Sequence, residues 1–343
     1  MGAALRRRLA GGGATLSFHR RRAAVELAVA SLAFAAAVLC AGVMGFAIQR
    51  GATCTVAAVE EVLDDGRATR LRALVEASLW VAGGLALAQW LQRLPTAPAG
   101  HPLTRWVVLG GVLLGLGAWV NRACVFGAIA RLGSGDFAYL ATPLGFYLGC
   151  LSVDRVFAPP LPETIAGGSP LLRMPAWIAL PFVAVAAWRL AQALRDRGAF
   201  AARIWSPHTA TTVIGITFFA TLMLAGAWAY TDLLAELAHG MAASVVARGL
   251  LALALLLGAI WGGWSAGRLR RVPLRAAGVL RCLAGGLLMG WGSLLIPGGN
   301  DGLILVGMPL LWPYAWAAFA AMGLSIGAAL WLQRAVARRA SVA

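Results

Sequence analysis

The residues of this chain that could do chemistry lie at short polar interruptions of its apolar runs. We call these interruptions breaks, and two of them occupy matching positions in the sequence. A glycine frame at residues 110–117 leads to Cys124, and the same frame at residues 285–292 leads to Gly299. The offset is constant, because 285 − 110 and 299 − 124 both equal 175. A free thiol can bind soft ligands, donate an S–H hydrogen bond or act as a nucleophile. The pattern predicts a duplicated chain that keeps thiols at such breaks.

A less regular version of this glycine motif runs from Gly45 to Gly51 and ends at Cys54. The other cysteines lie within apolar runs, where a thiol usually serves as a small hydrophobic side chain; they are Cys40, Cys150 and Cys282. The 5 cysteines include no C-x-x-C pair, so neither a disulfide framework nor a zinc site is predicted. Cys54 and Cys124 are therefore the candidate functional thiols.

The breaks that contain these thiols suit an anion. Short helices that begin near Cys54 and Cys124 would point unpaired N–H groups and positive dipole ends toward a ligand. Arg50 and Arg122 stand beside the breaks. An arginine inside a membrane is costly and therefore a functional candidate. Either arginine could instead extend its side chain to the membrane interface.

The second repeat has Asn300 and Asp301 beside Gly299. A carboxylate there could bind a cation, hold an arginine or cap a short helix, and capping is the favoured interpretation. The four histidines are too scattered to form a haem or metal pair; they are His19, His101, His208 and His239. No cofactor is predicted.

The elements that position these residues must lie in a membrane. The chain is 60% hydrophobic and only 12% charged, which leaves too little polar surface for a soluble globule of 343 residues. Apolar runs long enough for membrane helices predict an all-α protein with about nine spans. They lie near residues 25–49, 73–91, 106–120, 137–153, 174–194, 211–231, 245–266, 282–297 and 313–333.

Four short segments between these spans contain some polar residues, and we predict that each is a re-entrant helix. They lie near residues 51–65, 124–133, 230–240 and 299–309, and are too short to cross a bilayer. The chain divides into an N-terminal half (1–156), a proline-rich connector (157–175) and a C-terminal half with an extra span (176–343). An odd number of spans between similar halves makes the halves inverted repeats, and such segments indicate a binding site at the bilayer midplane.

The net charge of +16 comes from arginine clusters that lie between the spans. Membrane orientation explains these clusters better than nucleic-acid binding does. The loops near 195–203 and 268–281 predict a cytoplasmic C-terminus, whereas the side of the N-terminus stays open because both ends are basic. A multi-pass protein of the bacterial inner membrane is expected.

The motifs resemble those of the YeeE/YedE family of bacterial membrane proteins, whose studied members take up thiosulfate. The phrase from Gly45 to Cys54, which contains Gln49, Arg50 and Gly51, looks like the family's opening motif. Residues 110–127, which include Arg122 and Gly127, look like the second motif, and residues 281–302 look like the last.

This resemblance implies a narrow path lined by three cysteines, one from each motif. Two of them correspond to Cys54 and Cys124, and the third falls on Gly299. The supporting positions are Gln49, Arg50, Gly51, Arg122, Gly127, Gly298, Asp301 and Gly302, with Asn300 on the path itself. The resemblance also implies a cytosolic sulfur-transfer protein as a partner.

Three function classes follow from these observations. The leading hypothesis is a transporter for a small sulfur-containing anion, and the sequence does not choose among thiosulfate, sulfite and selenium compounds. The second is a membrane thiol enzyme or sulfur carrier that takes sulfane sulfur onto Cys54 or Cys124. The third is a scaffold subunit, for which matched polar breaks inside a membrane would be costly.

Overall fold

The protein is a bundle of apolar helices interrupted by short ones. The computed structural model describes residues 30–94, 99–161, 163–165, 168–195, 198, 202–240, 245–296 and 302–342. Its helices are α1 (30–51), α2 (Thr55–Asp65), α3 (Thr69–Trp90), α4 (Arg105–Asn121), α5 (Val125–Gly133), α6 (Ala141–Val156), α7 (Pro170–Arg173), α8 (Ala176–Arg195), α9 (Pro207–Ala225), α10 (Tyr230–Ala238), α11 (Val245–Ser265), α12 (Ala276–Leu295) and α13 (Pro313–Val342). A 3₁₀ turn at Phe137–Leu140 and a π-helix at Leu303–Gly307 complete the described helical structure.

The all-helical prediction is confirmed for the described part of the chain, where the one β feature is an isolated bridge between Gly100 and Ile165. Seven segments are long and apolar enough to cross a membrane, namely Ala30–Asp65, Thr69–Trp90, Arg105–Gly133, Pro207–Ala225, Val245–Ser265, Ala276–Leu295 and Pro313–Ala340. The two other expected spans, α6 with 16 residues and α8 with 20, are helical but are not among these seven. The count of nine therefore stays a prediction.

Each of the four short segments expected from the sequence contains a short helix. These are α2, α5, α10 and the π-helix Leu303–Gly307. The first two follow a sharp break, because Ala52 and Arg122 adopt left-handed φ angles of 47° and 58°. Residues with a Cβ rarely adopt this conformation, at a cost of about 1–2 kcal/mol. The chain bends in the same way two residues before each candidate thiol.

The two glycine frames pack directly on each other where α4 meets α12. A Cβ at Gly117 would lie 2.8 Å from the carbonyl oxygen of Gly285, and one at Gly110 would lie 2.7 Å from that of Gly292. The contacts are reciprocal, since a Cβ at Gly285 would lie 2.7 Å from the carbonyl oxygen of Gly117. Backbones this close require small residues at the interface, so the repeated glycines build the antiparallel centre of the bundle.

Loop contacts define two ends of this bundle. One end contains α2 and α5, the short helices that follow Cys54 and Cys124, and we call it the thiol end. Here the loop after α11 meets the end of α5, where Arg270 N–H donates to the Ser134 carbonyl at 3.0 Å. At the opposite end, Leu171 N–H of α7 donates to the Leu310 carbonyl at 3.4 Å. Consequently α2 and α5 lie at the thiol end, and α10 and the π-helix lie at the opposite end.

The helix α8 is tied to the bundle by a partly desolvated ion pair. Glu76 of α3, with only 10% of its side chain exposed, binds Arg189 of α8 at 2.9 Å. The same carboxylate contacts His208 Nδ1, at the start of α9, at 2.5 Å. Breaking a buried pair on one side only leaves an uncompensated charge; the interaction therefore fixes α8 beside α3 and α9.

Candidate thiol site at the start of two short helices

Cys54 and Cys124 come together although 70 positions separate them in the chain. Each occupies the N-cap position of a short helix, Cys54 before α2 and Cys124 before α5. Thr55 N–H, the first of α2, donates to Cys124 Sγ at 3.2 Å, and Cys124 N–H donates to Cys54 Sγ at 3.4 Å. We call this reciprocal arrangement the crossed cap. Each thiol satisfies a donor at the start of the other's helix.

The crossed cap depends on a missing side chain at Gly127. A Cβ there would lie 2.6 Å from Cys54 Sγ and 3.1 Å from Cys54 Cβ. Cys124 itself is only 2% exposed, whereas Cys54 is partly exposed. Gly127 therefore makes room for the thiol of Cys54 to lie against the start of α5, and Cys54 is the more accessible of the pair.

Cys54 opens into a cavity of about 340 Å³. We call it the thiol vestibule; its walls are formed by Gln49, Ala52, Cys54, Ala57, Glu60, Arg70, Arg122, Ala123, Gly127, Ala130, Arg131, Ser134 and Arg268. Four arginines and one glutamate among these residues make the cavity strongly cationic. Positive charge in a confined, partly desolvated space attracts anions.

A second cavity of about 670 Å³ lies beside the thiol vestibule and shares part of its wall. Both cavities are lined by Glu60, Arg122 and Arg131, and the larger one adds Arg281 and Arg334. Arg122 and Arg131 form no ion pair with any described residue, unlike Arg334, which binds Asp64 at 2.8 Å. Their charge is therefore available to a mobile ligand in either cavity.

Gln49 forms a polar part of the wall of the thiol vestibule, and its side chain packs against glycines. Its Nε2 donates to Ser134 Oγ at 3.3 Å, and its buried Oε1 has no hydrogen-bond partner among the described residues. A Cβ at Gly262 would lie 3.1 Å from this oxygen. An unsatisfied buried polar atom is costly, so this orphan oxygen beside the cavity suits a donor on a ligand or water.

The next two residues, Arg50 and Gly51, do not line the thiol vestibule. Arg50 turns away from the thiols, because its guanidinium donates to the Ala202 carbonyl at 2.8 Å and to Ser265 Oγ at 3.0 Å. It also lies over the ring of Phe46, 4.8 Å from the centroid. Gly51 packs on α9, where a Cβ would lie 2.2 Å from that of Ala210. The arginine beside the second break, Arg122, does line the vestibule.

The equivalent residues of the C-terminal half divide into two groups. Gly298, Gly299, Asn300 and Asp301 lie outside the described residues. Gly302 is described, and it lines a third cavity of about 740 Å³ at the opposite end of the bundle. We call this cavity the opposite vestibule; its walls include Asp154, Trp228, Asp232, Glu236, Arg248, Ser293, Gly302 and Tyr314.

Several vestibule residues were missed by reasoning from the sequence. Arg268 was assigned to a basic loop, and Arg70, Arg131 and Asp232 were not selected as site residues. A signal for Asp232 was present, because 232 − 57 equals the repeat offset of 175 and Ala57 lines the thiol vestibule. Applying the same offset to Cys54 gives Ala229, the N-cap residue of α10.

This arrangement suits binding an anion without changing it. The two helix starts and the arginines supply positive potential, and the thiols supply soft sulfur and S–H donors. Within the described residues, no cluster of three or more His, Cys, Asp or Glu side chains could hold a metal ion.

The family model for sulphur transport matches residues 50–330 of the chain. This match spans both thiols and most residues of the two vestibules. No curated protein matches the chain. Together with the seven apolar helices, the match supports a multi-pass membrane transporter of a sulfur compound rather than an enzyme. Because the match covers well over half of the sequence, the chain belongs to the sulphur transport family, the YeeE/YedE proteins.

Proposed function

We propose that this protein carries a small, thiosulfate-like anion across the bacterial inner membrane along a path that passes Cys54 and Cys124. The crossed cap, at the base of an arginine-lined vestibule, is the observation on which the proposal rests. It combines soft sulfur atoms with positive potential at one point of a membrane protein. An anion with a terminal sulfur matches both properties.

Electrostatics favours this class of ligand. Moving an anion out of water is costly unless fixed donors and positive charges replace its hydration shell. Arg70, Arg122, Arg131 and Arg268 supply the charge at the entrance, and the starts of α2 and α5 supply N–H groups deeper in the site. Sulfite, sulfide and selenium anions are the alternatives to thiosulfate.

An inverted repeat would extend this path through the bilayer. The contact between Gly110 and Gly292 maps onto the contact between Gly285 and Gly117 when each position is moved by 175. A pair of antiparallel helices related in this way is what a twofold axis in the membrane plane would produce. The short helices α2, α5, α10 and the π-helix then act as re-entrant segments that meet near the midplane.

The remaining assignments follow the arginine distribution. We assign the thiol end to the cytoplasm, because it contains the loop after α11 and the C-terminal part of α13. Residues 1–156 and 176–343 then form the two repeat halves, joined by the connector 157–175, with α8 as the extra span of the second half. A cytosolic sulfur-transfer protein would receive the anion at this end.

The decisive experiment is uptake of radiolabelled thiosulfate into liposomes that contain the purified protein. Cys54→Ala and Cys124→Ala should each abolish uptake, because each removes a sulfur of the crossed cap. Cys40→Ala is the matched control, since Cys40 is a free cysteine of α1 that lines none of the vestibules. Full uptake by both site variants would refute the role of the thiols.

One observation favours a sulfur carrier as a second candidate. Cys124 lies within hydrogen-bonding reach of Cys54, so a thiol is at hand to attack a persulfide formed on its neighbour. The Cys54 thiolate would attack the sulfane sulfur of thiosulfate, forming a persulfide anion and releasing sulfite. Mass spectrometry of the protein after exposure to thiosulfate, together with a sulfite assay, separates the candidates. A transporter shows neither product.

A further inference from the structure

The opposite vestibule has a different chemistry from the thiol vestibule. Three acidic residues line it, Asp154, Asp232 and Glu236, against one arginine, Arg248. An anion that leaves the thiols and continues through the bundle must pass this region, so the inference below rests on the proposed function. A path for anions that contains carboxylates needs a means of neutralising them.

Asp232 is the carboxylate whose charge is least compensated. It lies on the first turn of α10, partly buried, and forms no hydrogen bond or ion pair with any described residue. Glu236, one turn later, pairs with Arg248 of α11 at 2.5 Å. Arg248 is therefore already paired with Glu236, and Asp232 lines the cavity.

The other ionisable groups around the cavity come from several elements. Asp154 of α6 is 71% exposed and lies 3.9 Å from His239. His101 Nδ1 is engaged with the Glu163 carbonyl at 2.8 Å. Tyr314 lies on the wall formed by α13. Asp232, Glu236, Arg248, Asp154, His101, His239 and Tyr314 are thus the ionisable groups that face this vestibule from the elements packed around it.

A second observation points to a ligand in the same cavity. Trp228, two residues before the start of α10, lines the opposite vestibule and is only 3% exposed. Its indole Nε1–H is buried and has no acceptor among the described residues. A buried indole N–H normally finds a partner. This unsatisfied donor, four residues from Asp232, suits the oxygen atom of a passing anion.

We propose that Asp232 takes up a proton when the anion occupies the opposite vestibule and releases it when the anion leaves, so that this vestibule couples transport to protons. Protonation removes the repulsion between carboxylate and anion. A metal cation would need several oxygen ligands, and the described residues offer no such cluster; a single carboxyl group suffices for a proton.

The ionisation of Asp232 fits this role. Burial raises the pKa of Asp232 to about 7, with Glu236 adding to the shift and Arg248 opposing it. Asp232 is therefore mainly neutral below this pH and mainly charged above it. Anion exchange should consequently be faster at acidic pH and should fall as the pH rises through neutrality.

The test uses the full-length protein in liposomes with radiolabelled thiosulfate. Equilibrium exchange is measured without any gradient, at a series of pH values, and net accumulation is measured under an inward proton gradient. The parent should accumulate label and show exchange that falls with pH. Asp232→Asn should lose the gradient-driven accumulation and give a pH-independent exchange rate. Asp65→Asn is the matched control, because it removes an exposed carboxylate at the end of α2 that lines none of the vestibules; it should behave as the parent.

An infrared titration makes the proposal independent of the substrate. The C=O stretch of a protonated buried carboxyl group should disappear with a midpoint near pH 7 in the parent and be absent from Asp232→Asn. A parent without thiosulfate exchange would refute the proposed substrate, while this titration would still report on Asp232. Gradient-driven accumulation by Asp232→Asn at the parental level, or an unaltered infrared band in that variant, would overturn the proton role.

Discussion

The thiol vestibule and the opposite vestibule are lined in part by residues 175 positions apart in the sequence, but they have opposite chemistry. Ala57, Glu60 and Gly127 line the first, and the positions 175 later, Asp232, Ala235 and Gly302, line the second. Four arginines surround the first, whereas acidic residues outnumber the single arginine in the second. A shared backbone plan can therefore present an anion site on one side and an ionisable carboxyl group on the other.

This difference in charge suggests that the two vestibules have different roles along the proposed path. The helix starts differ in the same sense, because Cys54 occupies the N-cap of α2 whereas Ala229, 175 positions later, occupies the N-cap of α10. The following predictions test whether the two vestibules differ in this way.

The largest effect is expected from a methyl group added at equivalent glycines. Gly127→Ala should lower thiosulfate uptake by about tenfold to a hundredfold, because the new Cβ displaces Cys54 Sγ and small misplacements at a site are costly. Gly302→Ala is the matched control, since no atom of a described residue lies within 4 Å of a Cβ there. Uptake is measured in liposomes at equal protein content. Equal losses in both variants would contradict the asymmetry.

A smaller effect is expected from removing one charge of the thiol vestibule. Arg131→Gln should raise the KM for thiosulfate by about fivefold, since one partly screened charge contributes on the order of 1 kcal/mol. The exposed Arg271 of the loop after α11 lines none of the vestibules, so Arg271→Gln provides the control. Initial uptake rates across substrate concentrations give the KM. An unchanged KM in Arg131→Gln would show that this arginine does not attract the anion.

The smallest expected effect concerns labelling rates rather than transport. In a background with the 5 native cysteines replaced by alanine, Ala57→Cys and Ala235→Cys place one thiol in each vestibule. An anionic thiol reagent should react faster at residue 57, and a cationic one should react faster at residue 235, by about threefold in each ratio. Rates in the unfolded protein provide the reference. The same preference at both positions would remove the electrostatic contrast.

Much of the architecture could be predicted from the sequence. Length and apolar composition predict membrane helices, and the polar breaks predict the short helices, including the break before Cys124. The packing of the glycine frames on each other was not predicted, because G-x-x-x-G spacing identifies a close contact without naming its partner. The membrane placement of the short helices stays a prediction.

The site could be predicted only in part. Cys54 and Cys124 were singled out from their positions at the breaks, but their mutual contact depends on how two separate units pack. The direction of Arg50 was equally unpredictable, because a long side chain beside a break can turn either way. Nothing in the sequence relates Arg70, Arg131 and Arg268 to one another, and only the fold brings them around one cavity.

The crossed cap also bears on how an arriving ligand is received. Sulfur is a weak acceptor, so the N–H groups of Thr55 and Cys124 are satisfied at rest by poor partners. On the proposed path, an anion that reaches these N–H groups would replace each weak bond with a charge-assisted one. Both thiols would then be released to contact the anion, so binding of the ligand and exposure of the sulfur atoms would be a single event.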